Sequence, residues 1–173
     1  MAINPYAADA GAAHLSDFIG WDEAMRAVCQ RVRWARVRVE GEVIGEIGAG
    51  WAILLGIGAG DDEAAADELI DRIVKLRAFD DERGRMQRSA EDMGAEILVV
   101  SQITLHADLS HGRRPSFSHA APPAVARPLV DAFVSRLQGR GFRVATGRFG
   151  AMMDVELCND GPVTFILSTD GWD

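Results

Sequence analysis

Hydrolytic chemistry usually rests on hydroxyl and imidazole side chains, and one stretch of this sequence holds both: Ser101, Thr104, His106, Ser110, His111, Ser116, Ser118 and His119. A serine triad needs a base held against its nucleophile and a third group that orients the base. No G-x-S-x-G elbow announces one, so a triad here would have to be assembled by folding alone. Zinc wants three or four nitrogen or sulfur ligands. His106, His111 and His119 share a segment but lack H-x-x-x-H or HExxH spacing, and they read as surface or loop-packing residues. Asp61/Asp62 and Asp80/Asp81/Glu82 are neighbouring carboxylates of the kind used in acid–base work, yet a helix cap and a solvated turn account for them. Gly56, Gly58 and Gly60 follow a strand-like run and precede a helical one, as a phosphate loop would. They lack the lysine of GxxxxGK[ST] and the full GxGxxG spacing, and a tight turn is the simpler reading. No nucleotide cofactor and no metal are indicated.

Two short segments remain. Ser101-Gln102-Ile103-Thr104-Leu105 sits where the apolar run Ile97–Val100 gives way to polar residues, and strand ends are common places for site residues. The plain alternative is hydroxyls satisfying their own strand end. Asn159-Asp160-Gly161-Pro162-Val163-Thr164 lies among strand-forming residues. A proline there removes a ladder donor, so Gly161-Pro162 marks an edge, a bulge or an irregular turn. Thr104 or Thr164 would need a base to act as a nucleophile, and the sequence shows none beside either.

The elements around these segments follow from periodicity. Arg26 to Val39 alternates with β-branched residues, Glu40-Gly41 is a turn signal, and Val43–Ile47 returns as a second strand. Trp51–Ile57 is a continuous apolar run, read as a strand buried on both faces. Asp61 or Asp62 caps a helix expected to reach about Phe79, with Leu69, Ile70, Ile73, Val74 and Leu76 as its apolar stripe. Residues 80–94 read as a polar loop, Glu96–Leu105 as a strand, and 106–122 as a long loop. Pro123–Gln138 reads as a second helix, with proline at its start and Gly139 past its end. Phe142–Thr146, Met152–Cys158 and Val163–Leu167 read as closing strands. The fold class is therefore α+β: mostly antiparallel sheet with two main helices, in a single domain.

The chain has 173 residues, enough for one domain with a sizeable core. No apolar run approaches the roughly 20 residues of a membrane helix. Cys29 and Cys158 both sit in apolar strand-like stretches, which points away from a disulfide framework and toward a cytoplasmic protein. The net charge of −8 argues mildly against a protein that coats a long nucleic acid. Residues 1–24 contribute −4 of it through Asp9, Asp17, Asp22 and Glu23, which leaves −4 on the rest. That Ala-rich segment reads as an extension outside a domain spanning 25–173. The arginines cluster at 83/85/88, at 113/114 and at 136/140/143/148, local patches that a protein gripping one RNA end could use, though charge alone does not decide for RNA binding.

The two segments together resemble the signature motifs SQFTL and NxGPVT of the D-aminoacyl-tRNA deacylase family. Further likeness lies in Met25–Val32, Gly112-Arg113-Arg114-Pro115-Ser116-Phe117, Ala120-Ala121-Pro122-Pro123 and Thr146-Gly147-Arg148-Phe149-Gly150-Ala151, in order, from about Met25 to Leu167. Ile103 departs from the usual Phe. The resemblance implies a barrel-like core and hydrolysis of the ester joining a D-amino acid, or glycine mischarged on tRNA, to the tRNA 3′ end. It implies no cofactor, with tRNA and not DNA as partner. It implies that Ser101, Gln102, Ile103 and Thr104 form the catalytic segment, with the Ile103 N–H on the substrate carbonyl and the terminal ribose 2′-OH assisting. It implies that Gly161-Pro162, with a cis peptide and with Val163 and Thr164, crosses from one subunit of a homodimer into the other's site as a wall against L-amino acids. Arg31 would brace that wall, and Phe149 and Met153 would contact the terminal adenine. The competing readings are a non-catalytic tRNA-end-binding module, an L-alanyl-tRNA deacylase-like relative, and a small-molecule esterase with a hidden triad.

Overall fold

The computed structural model describes residues 24–170 apart from position 111. The expected 1–24 extension, save Ala24, and His111 lie outside the described residues. Strand β1, Arg26–Val39, is the spine, with alternating buried and open side chains over its first half. It pairs antiparallel with β2 (Glu42–Ile47), β3 (Gly50–Gly56) and β8 (Asp154–Ser168). β3 in turn pairs parallel with β6 (Glu96–Ser101), and β6 pairs parallel with β7 (Val144–Thr146). The sheet runs β2-β1-β3-β6-β7, with β8 beside β1. It curls until its ends meet: a Cβ on Gly45 of β2 would lie 2.6 Å from the Thr146 carbonyl of β7, so only glycine lets the barrel draw shut there.

Period-2 alternation divides the sheet's side chains between two cores. Val32, Val37, Ile47, Ala52, Leu98 and Val100 fill the inner face. Trp51, Ile53, Leu55, Ile97 and Val99 face outward and are covered by helices α1 (Glu63–Lys75) and α3 (Pro123–Gly139). Trp51 is fully buried, with Phe79 and Phe165 edge-on at 5.1 and 6.2 Å.

Several boundaries differ from the sequence expectation. Asp62 caps α1, its side chain accepting from the Ala65 N–H, but the helix stops at Lys75. Phe79 leaves it for a short strand, β4 (Phe79–Asp80), which pairs with β5 (Met86–Arg88). The polar 80–94 stretch thus holds a hairpin and a short helix α2 (Ala90–Met93), the latter closed by a capping box between Ser89 and Asp92. The expected 96–105 strand ends at Ser101, because Ile103–His106 winds into a 3₁₀ turn. The last two expected strands are one, β8, interrupted by a bulge.

Asp61 fastens the β3–α1 turn. Its carboxylate accepts from the Gly58 N–H at 2.6 Å. Burial pushes its pKa up to about 6, against the opposing pull of the Gly58 and Met25 N–H groups. A carboxyl whose pKa rises on folding contributes most below its unfolded value and loses that contribution as pH climbs through about 6. Asp61→Asn should therefore gain on the wild type with pH. The difference in Tm should shift in the variant's favour by about 2–4 °C between pH 4.5 and 8, equivalent to roughly 1 kcal/mol after allowing for partial exposure. Parallel melting curves at the two pH values would refute this role for the carboxyl.

Candidate active site

A cavity of about 500 Å³ opens at the C-terminal ends of the parallel strands β3 and β6. Crevices beyond the carboxyl ends of parallel strands are a favoured place for ligands. Leu55 and Ile57 form one side, Val100 to Thr104 the floor, and Pro123, Ala126 and Val130 of α3 a second side. Phe149 to Met153, from the β7–β8 connection, close it. Six residues singled out in the sequence, Ser101, Gln102, Ile103, Thr104, Phe149 and Met153, therefore share one wall system. Contributions from α3 were missed. The signal for them was Ala120-Ala121-Pro122-Pro123, where a proline at the first helical position fixes how the helix starts beside the cavity.

The 3₁₀ turn is held tightly to β3. The Gln102 N–H donates to the Leu55 carbonyl at 2.8 Å, and Leu105 N–H donates back to the Gln102 carbonyl. A Cβ on Gly56 would lie 2.9 Å from Leu105 Cβ and 3.0 Å from the His106 ring, so the strand's last glycine sets how closely the turn approaches. The first N–H groups of a helical turn have no partner within it. Neither Ile103 nor Thr104 donates a main-chain hydrogen bond elsewhere among the described residues. The Gln102 side-chain amide donates to the Thr104 hydroxyl oxygen, which orients the hydroxyl without activating it, since an amide takes no proton.

His106 takes part in no triad among the described residues. His106 is buried, and neither ring nitrogen meets a hydroxyl. Burial first, then the Arg26 charge, holds its pKa below the ordinary value. Arg26 itself donates to the Leu105 carbonyl at 2.8 Å, bracing the turn from behind. Cys29 is fully buried, and that burial pushes its thiol far up, leaving it unreactive.

Gly161, Pro162, Val163, Thr164 and Arg31 are not in this cavity. In the β1–β8 ladder Gln30 faces Thr164 and Val32 faces Asn159. Residues 160–163 thus stand opposite Arg31 alone, a wide bulge that spares Pro162 any ladder duty. Gly161 and Pro162 are exposed, and their peptide is cis. Arg31 is buried to 7% exposure and donates from Nε to the Asp160 carbonyl at 2.9 Å and from Nη1 to the Ala78 carbonyl at 2.7 Å. Asp160 and Asp80 are its charge partners.

Within one chain the two motifs are far apart. Ser101 aligns through Leu55 and Ala27 with Leu167, three strands across and six residues along from Gly161. Strand spacing puts the path between them along the sheet on the order of 20 Å. Between them runs an apolar row by register, Ile166-Val28-Leu54-Val100, which passes from Val100 of the inner core to Ile166 at 49% exposure.

The sequence profile of a family described as D-Tyr-tRNA(Tyr) deacylase matches residues 28–168. A D-aminoacyl-tRNA deacylase of Roseiflexus sp. (strain RS-1) is 59% identical over 145 residues, 84% of this chain and 94% of the relative. A solved structure named c-Myc DNA Unwinding Element Binding Protein superposes with a TM-score of 0.77 at 40% identity, over 82% of this chain and 97% of its own. A probable eukaryotic D-amino acid tRNA deacylase shares the fold with a TM-score of 0.75 at 17% identity, over 84% and 99%.

Proposed function

The chain belongs to the D-aminoacyl-tRNA deacylase family, a family of carboxylic ester hydrolases, and from that premise we propose how its cavity and its bulge divide the reaction. The aminoacylated 3′ end of tRNA enters the cavity floored by Ser101–Thr104. The Ile103 N–H holds the ester carbonyl, and Ser101, Gln102 and Thr104 shape the space around it. Phe149 and Met153 take the terminal adenine. Rate comes from position and main-chain donors, with the ribose 2′-OH assisting hydrolysis where no described residue places a side-chain base. The catalytic unit is one domain from residue 25 onward, and the substrate puts its work in the cytoplasm.

Gly161-Pro162 acts in the cavity of a second copy. The observation that carries this is the separation of the two motifs across the sheet: an exposed dipeptide, braced from behind by Arg31, stands three strands from its own Ser101–Thr104 and lines no part of their cavity. A symmetric dimer returns each bulge to the other's cavity. The half-exposed Ile166 row gives such a dimer an apolar seam. The main-chain wall collides with an L side chain at the α-carbon. A D side chain points away from it and glycine has none, so many D-aminoacyl-tRNAs and glycyl-tRNA are substrates.

Ile166→Asp places a charge in that seam. We expect it to sediment as a monomer at micromolar concentration and to lose at least about tenfold in activity on D-Tyr-tRNA, in line with roughly 1–3 kcal/mol for a buried unpaired group. A folded monomer that remains fully active and still rejects L-Tyr-tRNA would overturn the shared site.

A further inference from the structure

The chain's 18 Lys and Arg residues are unevenly neutralised. Arg31 and Arg33 meet Asp160, Arg36 and Arg38 share Glu156, Arg136 holds Glu63 and Asp67, and Arg143 meets Glu96. Arg113, Arg114, Arg127 and Arg148 form no ion pair among the described residues. In a protein of net charge −8, cations left without acidic neighbours are conspicuous by their position. Arg148 immediately precedes Phe149 of the cavity wall. Arg113 and Arg114 lie on the loop that leaves the cavity after Thr104 and returns to it at Ala121. Arg77 and Arg83, also without ion pairs, belong instead to the region of the β4–β5 hairpin.

Arg127 has the most informative geometry. It follows Pro123 by four residues and precedes Val130 by three, and both of these line the cavity, so it shares their face of α3. Its guanidinium carbon stands 4.9 Å from the centroid of the Phe149 ring. A guanidinium resting its face on an aromatic ring keeps its in-plane N–H donors free at the edge. That edge matches the oxygens of a phosphate, which it takes in paired hydrogen bonds. Arg148 is exposed, and its N–H donates to Met153 Sδ at 3.3 Å. That contact fixes its backbone immediately before Phe149.

We infer that Arg127 and Arg148 grip the phosphodiester links of the substrate's single-stranded 3′ end while its terminal base lies on Phe149. This rests on the cavity's holding the aminoacyl-adenosine. It adds a charge contact that lets an acidic protein bind RNA by its end alone. Arg127 and Arg148 flank the cavity wall at Phe149, so the attraction is felt by the 3′ strand rather than along the acceptor duplex.

The test is the salt dependence of KM for D-Tyr-tRNA, compared among wild type, Arg127→Gln and Arg127→Gln/Arg148→Gln. Each phosphate contact to a single strand contributes about 0.7 to the slope of log affinity on log salt. The slope should flatten by about 0.7 in the single variant and about 1.4 in the double, with KM rising several-fold at low salt and kcat changing much less. Arg127→Lys should keep the slope. Arg127→Leu, which preserves packing on the ring, should lose it. The preference for D-Tyr-tRNA over D-tyrosyl-adenosine, which has no phosphodiester, should fall in both Gln variants. An unchanged slope in the double variant, or a wild-type slope in Arg127→Leu, would overturn the assignment. Phe149→Ala separates this from the underlying reading. If it leaves both substrates untouched, the cavity is not the binding site. If it weakens both while the arginine variants do nothing, only the phosphate grip is wrong.

Discussion

D-tyrosyl-tRNA ending in 2′-deoxyadenosine is expected to be hydrolysed about a thousandfold more slowly than its ribose counterpart, with little change in binding. The magnitude follows from what the cavity lacks. A positioned side-chain base contributes about 10²–10⁴ in rate, and among the described residues the cavity lining contains no His, Asp, Glu, Lys or Cys. Its hydroxyls are Ser101 and Thr104, and Thr104 receives a hydrogen bond from the Gln102 amide, which cannot carry a proton away. His106 is the nearest imidazole in sequence, but it is buried behind the turn and meets neither hydroxyl. On the proposed reading, the group that directs water or assists the leaving oxygen arrives with the substrate. The 2′-OH is vicinal to the ester oxygen, within reach of both. Single-turnover rates with the two substrates measure the effect, and normal hydrolysis of the deoxy substrate would exclude the RNA-assisted mechanism. Thr104→Ala is the companion measurement. It should keep activity within about tenfold if the hydroxyl only shapes the pocket, whereas a folded but dead variant would restore a threonine nucleophile.

How much of this could be seen in the sequence depends on the range of the forces involved. β1, β3 and α3 were readable because alternation and apolar runs record which face each residue buries. The end of α1 was not, because Leu69 to Leu76 continues the helical period while Phe79 is claimed by a distant partner, the ring of Trp51 at 5.1 Å. The 3₁₀ turn at Ile103–His106 was hidden for the same kind of reason. Its residues are good strand formers, and what bends them is the closeness permitted by Gly56, nearly fifty positions earlier. The Gly161-Pro162 bulge was half legible. Proline's missing donor demanded an irregularity, but that β8 continues through it as one strand is decided by Gln30 and Val32 on the partner strand. Among the candidate residues, Ser101–Thr104, Phe149 and Met153 proved to share a cavity. No spacing rule links positions 101–104 to 149–153; the parallel β6–β7 pairing does.

Gly161→Ala should abolish much of the discrimination against L-aminoacyl-tRNA. A methyl group there would sit 2.0 Å from the Val163 nitrogen, 3.1 Å from its Cα and 3.1 Å from Cγ2. The nearest of these, the Val163 nitrogen, is main chain, so no side-chain rotation relieves the contact and the 161–163 backbone must move. Because residues 160–163 bulge out opposite Arg31 alone, that movement is local. The fold and the Arg31 brace on the Asp160 carbonyl can survive it, and Tm should fall by only a few degrees. The proposed wall cannot, because its resistance to an L side chain comes from carbonyls that hold their place. Ten-thousandfold rejection corresponds to about 5.5 kcal/mol, and a shift that removes half of it costs about a hundredfold. The ratio of kcat/KM for D-Tyr-tRNA to that for L-Tyr-tRNA is therefore expected to fall by about a hundredfold. Most of the change should be a rise in the L rate, since the cavity that holds the ester is untouched. This outcome separates a barrier from a catalyst: loss of a catalytic group lowers both rates together, whereas loss of a barrier raises the forbidden one. A folded dimer of the variant with its D-to-L ratio unchanged would place chiral selection elsewhere, in the cavity wall between Phe149 and Met153 or in the depth set by Ile103.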